Sequence, residues 1–138
     1  MYREQERESD AEALLRKGLG AVPNDSYLHH ALGLSLVRQN RFKDALPELQ
    51  IAADSADAEP RFALVYALAL DRVGQTNNAA AYLQLALQRF RGDQELESAL
   101  QAATLRLLQP LAERDASARQ MALEAARRLG KKILPVLA

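Results

Sequence analysis

The sequence repeats itself with a period of about 34 residues, a length typical of supersecondary units that stack on one another. When the segment that begins at Ser26 is placed on the segment that begins at Pro60, small and apolar residues coincide without a gap. The coinciding pairs are Gly33 with Ala67, Leu36 with Leu70, Asn40 with Gly74, Ala45 with Ala79, Leu49 with Leu83 and Ala52 with Ala86. The chain is therefore predicted to be an array of equal hairpins.

The units are predicted to be helical, because apolar residues such as Leu28, Leu32 and Leu36 recur at intervals of three and four. Alanine and leucine are abundant and aromatic residues make up only 5% of the chain, which favours helices over sheets. Turn residues predict helices over 10–20, 25–39, 42–54, 60–74, 76–92, 94–109 and 110–130, with Asn24 or Asp25, Thr76 or Asn77, and Asp93 as N-caps. Helices joined by such short turns pack antiparallel, so the fold class is all-α.

The spacing of the repeated residues resembles the tetratricopeptide repeat, whose pattern is W-x2-L-G-x2-Y, then A-x3-F, then a small residue and P. One unit carries His29-x2-Leu32-Gly33-x2-Leu36, Ala45-x3-Leu49 and Ala52, and the next carries Ala63-x2-Tyr66-Ala67-x2-Leu70, Ala79-x3-Leu83 and Ala86. Towards the N-terminus the match continues in Ala11-x3-Leu15, Gly18 and Pro23, whereas after Gln94 it decays. The alternative is a non-repeating helical bundle in which the Ala and Leu positions coincide.

The resemblance implies a right-handed superhelix of antiparallel helix pairs with a C-terminal capping helix. The register of the repeat divides one continuous domain into four parts. A partial unit over 1–25 has a complete second helix, and full units follow over 26–59 and 60–93. A degenerate unit with a capping helix and an apolar tail covers 94–138. Because most of the first helix of the N-terminal unit is missing, we expect the sequence to be a fragment of a longer protein that contains this repeat.

The resemblance also implies a non-enzymatic scaffold that binds a peptide segment or partner helix in an apolar concave groove. In the family's register the residues predicted to contact the partner are Tyr27, His30, Leu34, Arg38, Arg61, Leu64, Val65, Leu68, Arg72, Leu105 and Arg106. Arg38, Arg72 and Arg106 recur once per repeat and are suited to bind carboxylates or carbonyls of the partner, unless they pair with acids such as Asp71 and Glu95 or are solvated. The family's carboxylate-clamp positions hold none of the expected donors, so no clamp is predicted.

Several other classes of function find no support in the sequence. The chain has no Cys, which excludes thiol catalysis and Cys-bound metals within it. Its 18 Lys and Arg balance 18 Asp and Glu, and this balance argues against a nucleic-acid or anionic-membrane surface. The two histidines, His29 and His30, are adjacent and point about 100° apart on a helix, so they cannot chelate a metal together. No Gly-rich phosphate loop and no nucleophile–base set occurs. No catalytic residue, cofactor, metal, nucleic-acid partner or membrane partner is therefore predicted.

Two further hypotheses stay open. The chain is alternatively a self-association or assembly domain of a larger enzyme or multihaem cytochrome-like protein. Homodimerisation through the groove, or docking of the apolar tail over 131–138 in cis or in trans, would also cover the apolar strip. The compartment is undetermined: it is cytoplasmic by default and periplasmic if the parent protein carries a signal peptide.

Overall fold

Seven helices make up the part of the chain that the computed structural model describes, residues 2–112 and 116–133, and these residues contain no β-strand. In chain order they are α1 (Tyr2–Ala21), α2 (Ser26–Arg38), α3 (Phe42–Asp54), α4 (Pro60–Arg72), α5 (Thr76–Arg89), α6 (Gln94–Ala112) and α7 (Ala116–Ile133). The predicted all-α class is confirmed.

The helices repeat with the period seen in the sequence. The first residues of α2, α4 and α6 are Ser26, Pro60 and Gln94, which are spaced equally along the chain, and α3 and α5 begin at Phe42 and Thr76 with the same offset. Each helix packs against the next one along the chain, and α4 also contacts α6. This arrangement is a solenoid of helix hairpins in which α2, α4 and α6 hold equivalent places.

The turns owe their form to a few residues with special backbone or side-chain roles. Asp25 and Asp93 cap α2 and α6, since their Oδ1 atoms accept hydrogen bonds of 3.0 Å from the backbone N–H groups of Leu28 and Leu96. Asn40 has φ 60° after α2, and Gly74 has φ 88° after α4. These left-handed conformations suit Asn and Gly, so α2 and α4 end close to the residues that the sequence predicts.

Small residues let the paired helices approach closely. Gly33 of α2 faces Leu49 of α3, and an added Cβ on Gly33 would lie 2.6 Å from the Cγ of Leu49. Ala45 and Ala79, which lie in the first turns of α3 and α5, are also buried. The core comprises one cluster centred on Leu32, Leu36, Leu49 and Phe62, and a second on Ala67, Leu83, Leu96 and Leu100.

Several predicted helix limits are wrong. α1 is a single helix that begins at Tyr2, not Asp10. α6 runs past Pro110 to Ala112, because proline near a helix end costs one hydrogen bond without forcing a stop, and α7 therefore starts at Ala116. Thr76 is the first residue of α5 and Gln75 is its N-cap, and the Thr76 hydroxyl donates to Asp71 (2.7 Å). The apolar tail falls largely outside the described residues: of 131–133 only the backbone is described, and of 134–138 nothing.

Polar contacts fix α1 against the hairpin of α2 and α3. The Glu12 carboxylate accepts hydrogen bonds from Arg16 (2.9 Å), Gln39 (3.2 Å) and Arg41 (2.8 Å). The bonds from Gln39 and Arg16, followed by the charge of Arg41, lower the pKa of Glu12 below its usual value. Leu15 and Leu19 of the same helix pack on the first core cluster. α1 is therefore an integral layer of the solenoid.

Candidate functional site

The face formed by α4 and α6 carries two substantially exposed leucines, and α6 exposes a third, Leu107, on another side by 37%. Leu68 of α4 is 51% exposed and Leu105 of α6 is 45% exposed, whereas Leu70, Leu96 and Leu100 are buried in the core. The two leucines lie on helices that contact each other, and exposed apolar patches are typical of interaction sites. Both exposed leucines belong to the set predicted from the sequence to contact a partner.

The other apolar residues that the sequence predicts to contact a partner are only partly exposed. Leu34 is half-buried. Leu64 packs against the second core cluster and Val65 against the first, so both mainly support the fold. The most exposed part of this surface is therefore centred on α4 and α6, with the exposed Arg61 at the start of α4.

Aromatic rings join α2 to α4 at one end of this face. Tyr27 is half-exposed, its ring meets that of Phe62 edge-on at 5.2 Å and 82°, and its hydroxyl donates to Glu59 Oε1 at 3.0 Å. His30 stacks on the same Phe62 ring at 4.2 Å and 22°. Phe62 was not singled out in the sequence, although it follows His30 by nearly one repeat length. The structure thus brings Tyr27 and His30 together around one phenyl ring.

His30 is unusual because its ring is buried without hydrogen-bond partners. The residue is 4% exposed, and neither Nδ1 nor Nε2 has a partner among the described residues. Burial away from water lowers the pKa of His30 from its usual 6.5 to about 4, and the charge of Arg61 acts in the same direction against a smaller opposing effect of Glu59. His30 is therefore neutral near pH 7 and contributes ring packing to the α2–α4 contact.

The three arginines that recur once per repeat have three different neighbours. Arg106 Nη2 of α6 lies 2.6 Å from Asp71 Oδ2 of α4, so the ion pair considered from the sequence forms there. The Arg72 guanidinium lies over the ring of Phe42, 5.3 Å from its centroid. Arg38 Nη1 of α2 lies 3.7 Å from Glu8 Oε1 of α1, and the Arg38 side chain is 59% exposed. Of the three, Arg106 is engaged in holding α4 to α6.

The neighbouring His29 has a structural role. Its Nε2 donates to the carbonyl oxygen of Pro23 at 2.7 Å, and its Nδ1 lies 2.6 Å from Glu48 Oε2. The ring therefore joins α2 to α3 and to the turn before α2. Neither Glu48 nor the Pro23 carbonyl could be identified as its partner from the sequence, because both contacts depend on how the hairpin closes.

The described residues lack two other kinds of feature. No group of three or more His, Asp or Glu side chains there could hold a metal ion. Among the same residues, none of the helices has both the length and the apolar character needed to cross a bilayer.

Comparison with known proteins identifies the fold. No protein-family model matches the sequence, and no curated protein matches it significantly. Two solved structures of MamA, a tetratricopeptide-repeat protein, match over nearly the whole chain. "MamA MSR-1 C2" has a TM-score of 0.62 at 17% identity, over 95% of this chain and 72% of that one. "MamA RS-1 ArsTM double mutant" has a TM-score of 0.63 at 19% identity, over 94% and 70%. The chain therefore has the tetratricopeptide-type solenoid fold, as its sequence pattern predicts.

Proposed function

We propose that this chain is a non-catalytic scaffold that binds a peptide segment or a partner helix on the face formed by α2, α4 and α6. The observation that carries the proposal is the exposure of Leu68 and Leu105 by about half, in helices whose core-facing leucines are buried. Full burial of a leucine side chain is worth roughly 1.5–3 kcal/mol, so a partner that covers both residues would gain on the order of 2 kcal/mol.

The polar residues around these leucines favour an extended or helical protein segment over a small molecule. Arg61 and Arg72 are exposed on α4, and Arg38 is exposed on α2. Guanidinium groups bind backbone carbonyls and carboxylates, which any peptide carries. The tetratricopeptide-type fold, shared with the MamA structures, supports a protein partner over a nucleic acid or a membrane.

The alternative role, as an assembly domain of a larger enzyme or multihaem cytochrome-like protein, stays a prediction from the sequence. So does the dimer through the groove or the tail. Both hypotheses use the same fold, and the experiment below separates them from the scaffold by the identity of the bound protein.

Leu68→Asp combined with Leu105→Asp is expected to abolish partner binding without unfolding the chain, because both side chains are substantially exposed and a carboxylate would have to lose its water on binding. The measurement is affinity purification from an extract, followed by quantification of the captured proteins and by circular dichroism of each variant. The matched control is Leu14→Asp, which places the same charge at an exposed leucine of α1. If the double variant captures the same proteins as the unsubstituted chain, α4 and α6 do not form the binding face.

A further inference from the structure

One face of α1 is uncovered, although the equivalent faces of α3 and α5 are enclosed. One repeat length apart along the chain, Ala11 corresponds to Ala45 and Ala79, Leu15 to Leu49 and Leu83, and Gly18 to Ala52 and Ala86. The residues on α3 and α5 are all buried. Those on α1 are only half-buried, and Leu14 beside them is exposed. We refer to Ala11, Leu14, Leu15 and Gly18 as the open face of α1.

Leu14 shows the difference between α1 and its equivalents most clearly, because it is 70% exposed. Its equivalent on α3 is Glu48, whose Oε2 lies 2.6 Å from His29 Nδ1 of α2. Its equivalent on α5 is Tyr82, whose ring meets that of Tyr66 of α4 edge-on at 4.8 Å. In both of these units the residue at this position therefore contacts the helix that immediately precedes its own.

The order of the helices explains why this face is open. α3 packs against α2 before it and α4 after it, and α5 packs against α4 and α6 in the same way. Of the described helices, only α2, which follows α1, packs closely on α1. The open face therefore lies on the side of α1 that corresponds to the side of α3 covered by α2.

We propose that the open face seats one further helix of the same polypeptide, which precedes α1 as α2 precedes α3. The repeat argues for this occupant, because the equivalent faces of α3 and α5 are each covered by the helix joined to them through a short turn, over 39–41 and 73–75. A helix that is joined so closely meets its seat at a high effective concentration, which a helix of a separate protein does not.

The residues of the open face specify the chemistry of this helix. Two of the four are Ala and Gly, so a second helix can approach closely, and the other two are leucines that an apolar side of that helix would cover. Leu14 is apolar where α3 has Glu48, so the occupant needs an apolar residue where α2 has His29. Among the described helices α4 meets this requirement, because Ala63 holds that place.

The further helix would also enlarge the face proposed to bind a partner, although the inference does not depend on that function. Because α2, α4 and α6 hold equivalent places in the solenoid, a helix that covers α1 would take the next equivalent place, beside α2. Tyr27 and Arg38 of α2 would then lie within the partner-binding face and not at its edge.

A tethered copy of α4 tests the proposal in the full chain. The copy comprises residues 60–74 and is joined to the N-terminus through a flexible linker of about ten Gly and Ser residues, which spans roughly 17 Å. The linker lets the copy find its register, because α1 with 20 residues is longer than α3 with 13. The copy is expected to raise the urea midpoint of unfolding by about 1 M, and a scrambled copy of the same residues is expected to leave it unchanged.

Leu14→Asp shows whether the copy is seated on α1. In the unextended chain this substitution is expected to shift the urea midpoint by less than about 0.2 M, because Leu14 is 70% exposed. In the extended chain it is expected to remove most of the gain, because the carboxylate would be buried against the copy. A copy that gives no gain, or a gain that survives Leu14→Asp, overturns the proposal.

Thiol reactivity at position 14 gives a second readout, which is free of background because the chain has no cysteine. Leu14→Cys is expected to react with iodoacetamide several times more slowly in the extended chain than in the unextended chain. The matched control, Leu85→Cys at a leucine of α5 that is 63% exposed, is expected to react equally in both. Equal rates at position 14 overturn the proposal. So does a rate in the unextended chain that falls as the protein concentration rises, which would place a second copy on the open face.

Discussion

Gly33→Val is expected to lower the free energy of unfolding by about 3 kcal/mol. The new side chain would enter space that Leu49 already fills, since even a Cβ at Gly33 would lie 2.6 Å from the Leu49 Cγ. Leu49 is 0% exposed and cannot turn aside without displacing the core between α2 and α3. The change is measured by urea unfolding followed by circular dichroism.

Gly20→Val is the matched control. Gly20 also lies within a helix, but nothing lies within 4 Å of an added Cβ. Valine and glycine differ little in helix propensity, so the control is expected to change stability by less than about 0.5 kcal/mol. Equal losses for the two variants would show that the α2–α3 contact is not as tight as described. Ala45→Trp and Ala79→Trp are expected to act like Gly33→Val, because both alanines are buried between paired helices.

Acidification from pH 6.5 to pH 4 is expected to remove up to about 3 kcal/mol of stability through His30 alone. The pKa of His30 is about 4 in the folded chain, below its usual 6.5. Between these values the unfolded chain binds the proton and the folded chain does not, so stability falls as the pH falls. From about one pH unit above 6.5, His30 is neutral in both states and has no effect on the slope.

His30→Leu isolates this effect, because it removes the titrating ring and keeps an apolar side chain against Phe62. Unfolding free energies of both proteins are measured by urea titration at several pH values from 4 to 7.5. The difference between the two pH profiles is expected to be about 3 kcal/mol across the acidic range, because both proteins share every other titratable group. Parallel profiles would mean that His30 accepts its proton without leaving the α2–α4 contact.

The architecture could be predicted from the sequence because it depends on local and periodic features. Asn40, Gly74 and Asp93 end or cap helices through their own backbone or side-chain properties, and the structure places them accordingly. The regular spacing of helix starts follows from the same pattern. The limits of α1 and α6 were missed, because no turn residue precedes Tyr2 in the sequence and Pro110 lies inside a helix that continues past it.

The candidate site was less predictable, because its detail depends on contacts between units. The register identified Leu68 and Leu105 as surface positions, and both are exposed. It did not predict that His30 would be buried against Phe62, or that Arg106 would pair with Asp71 while Arg72 lies over Phe42. Periodicity gives the side of a helix on which a residue lies, but packing between units decides how much of that side a partner can reach.

The claim that a protein partner contacts α4 at Leu68 is tested most directly by site-specific photo-cross-linking. A benzophenone amino acid is placed at position 68 in one sample and at position 14 in another, since both leucines are exposed and lie on different helices. A discrete covalent adduct with a second protein is expected from position 68 and none from position 14. Equal adducts from both positions, or an adduct from position 14 alone, would contradict it.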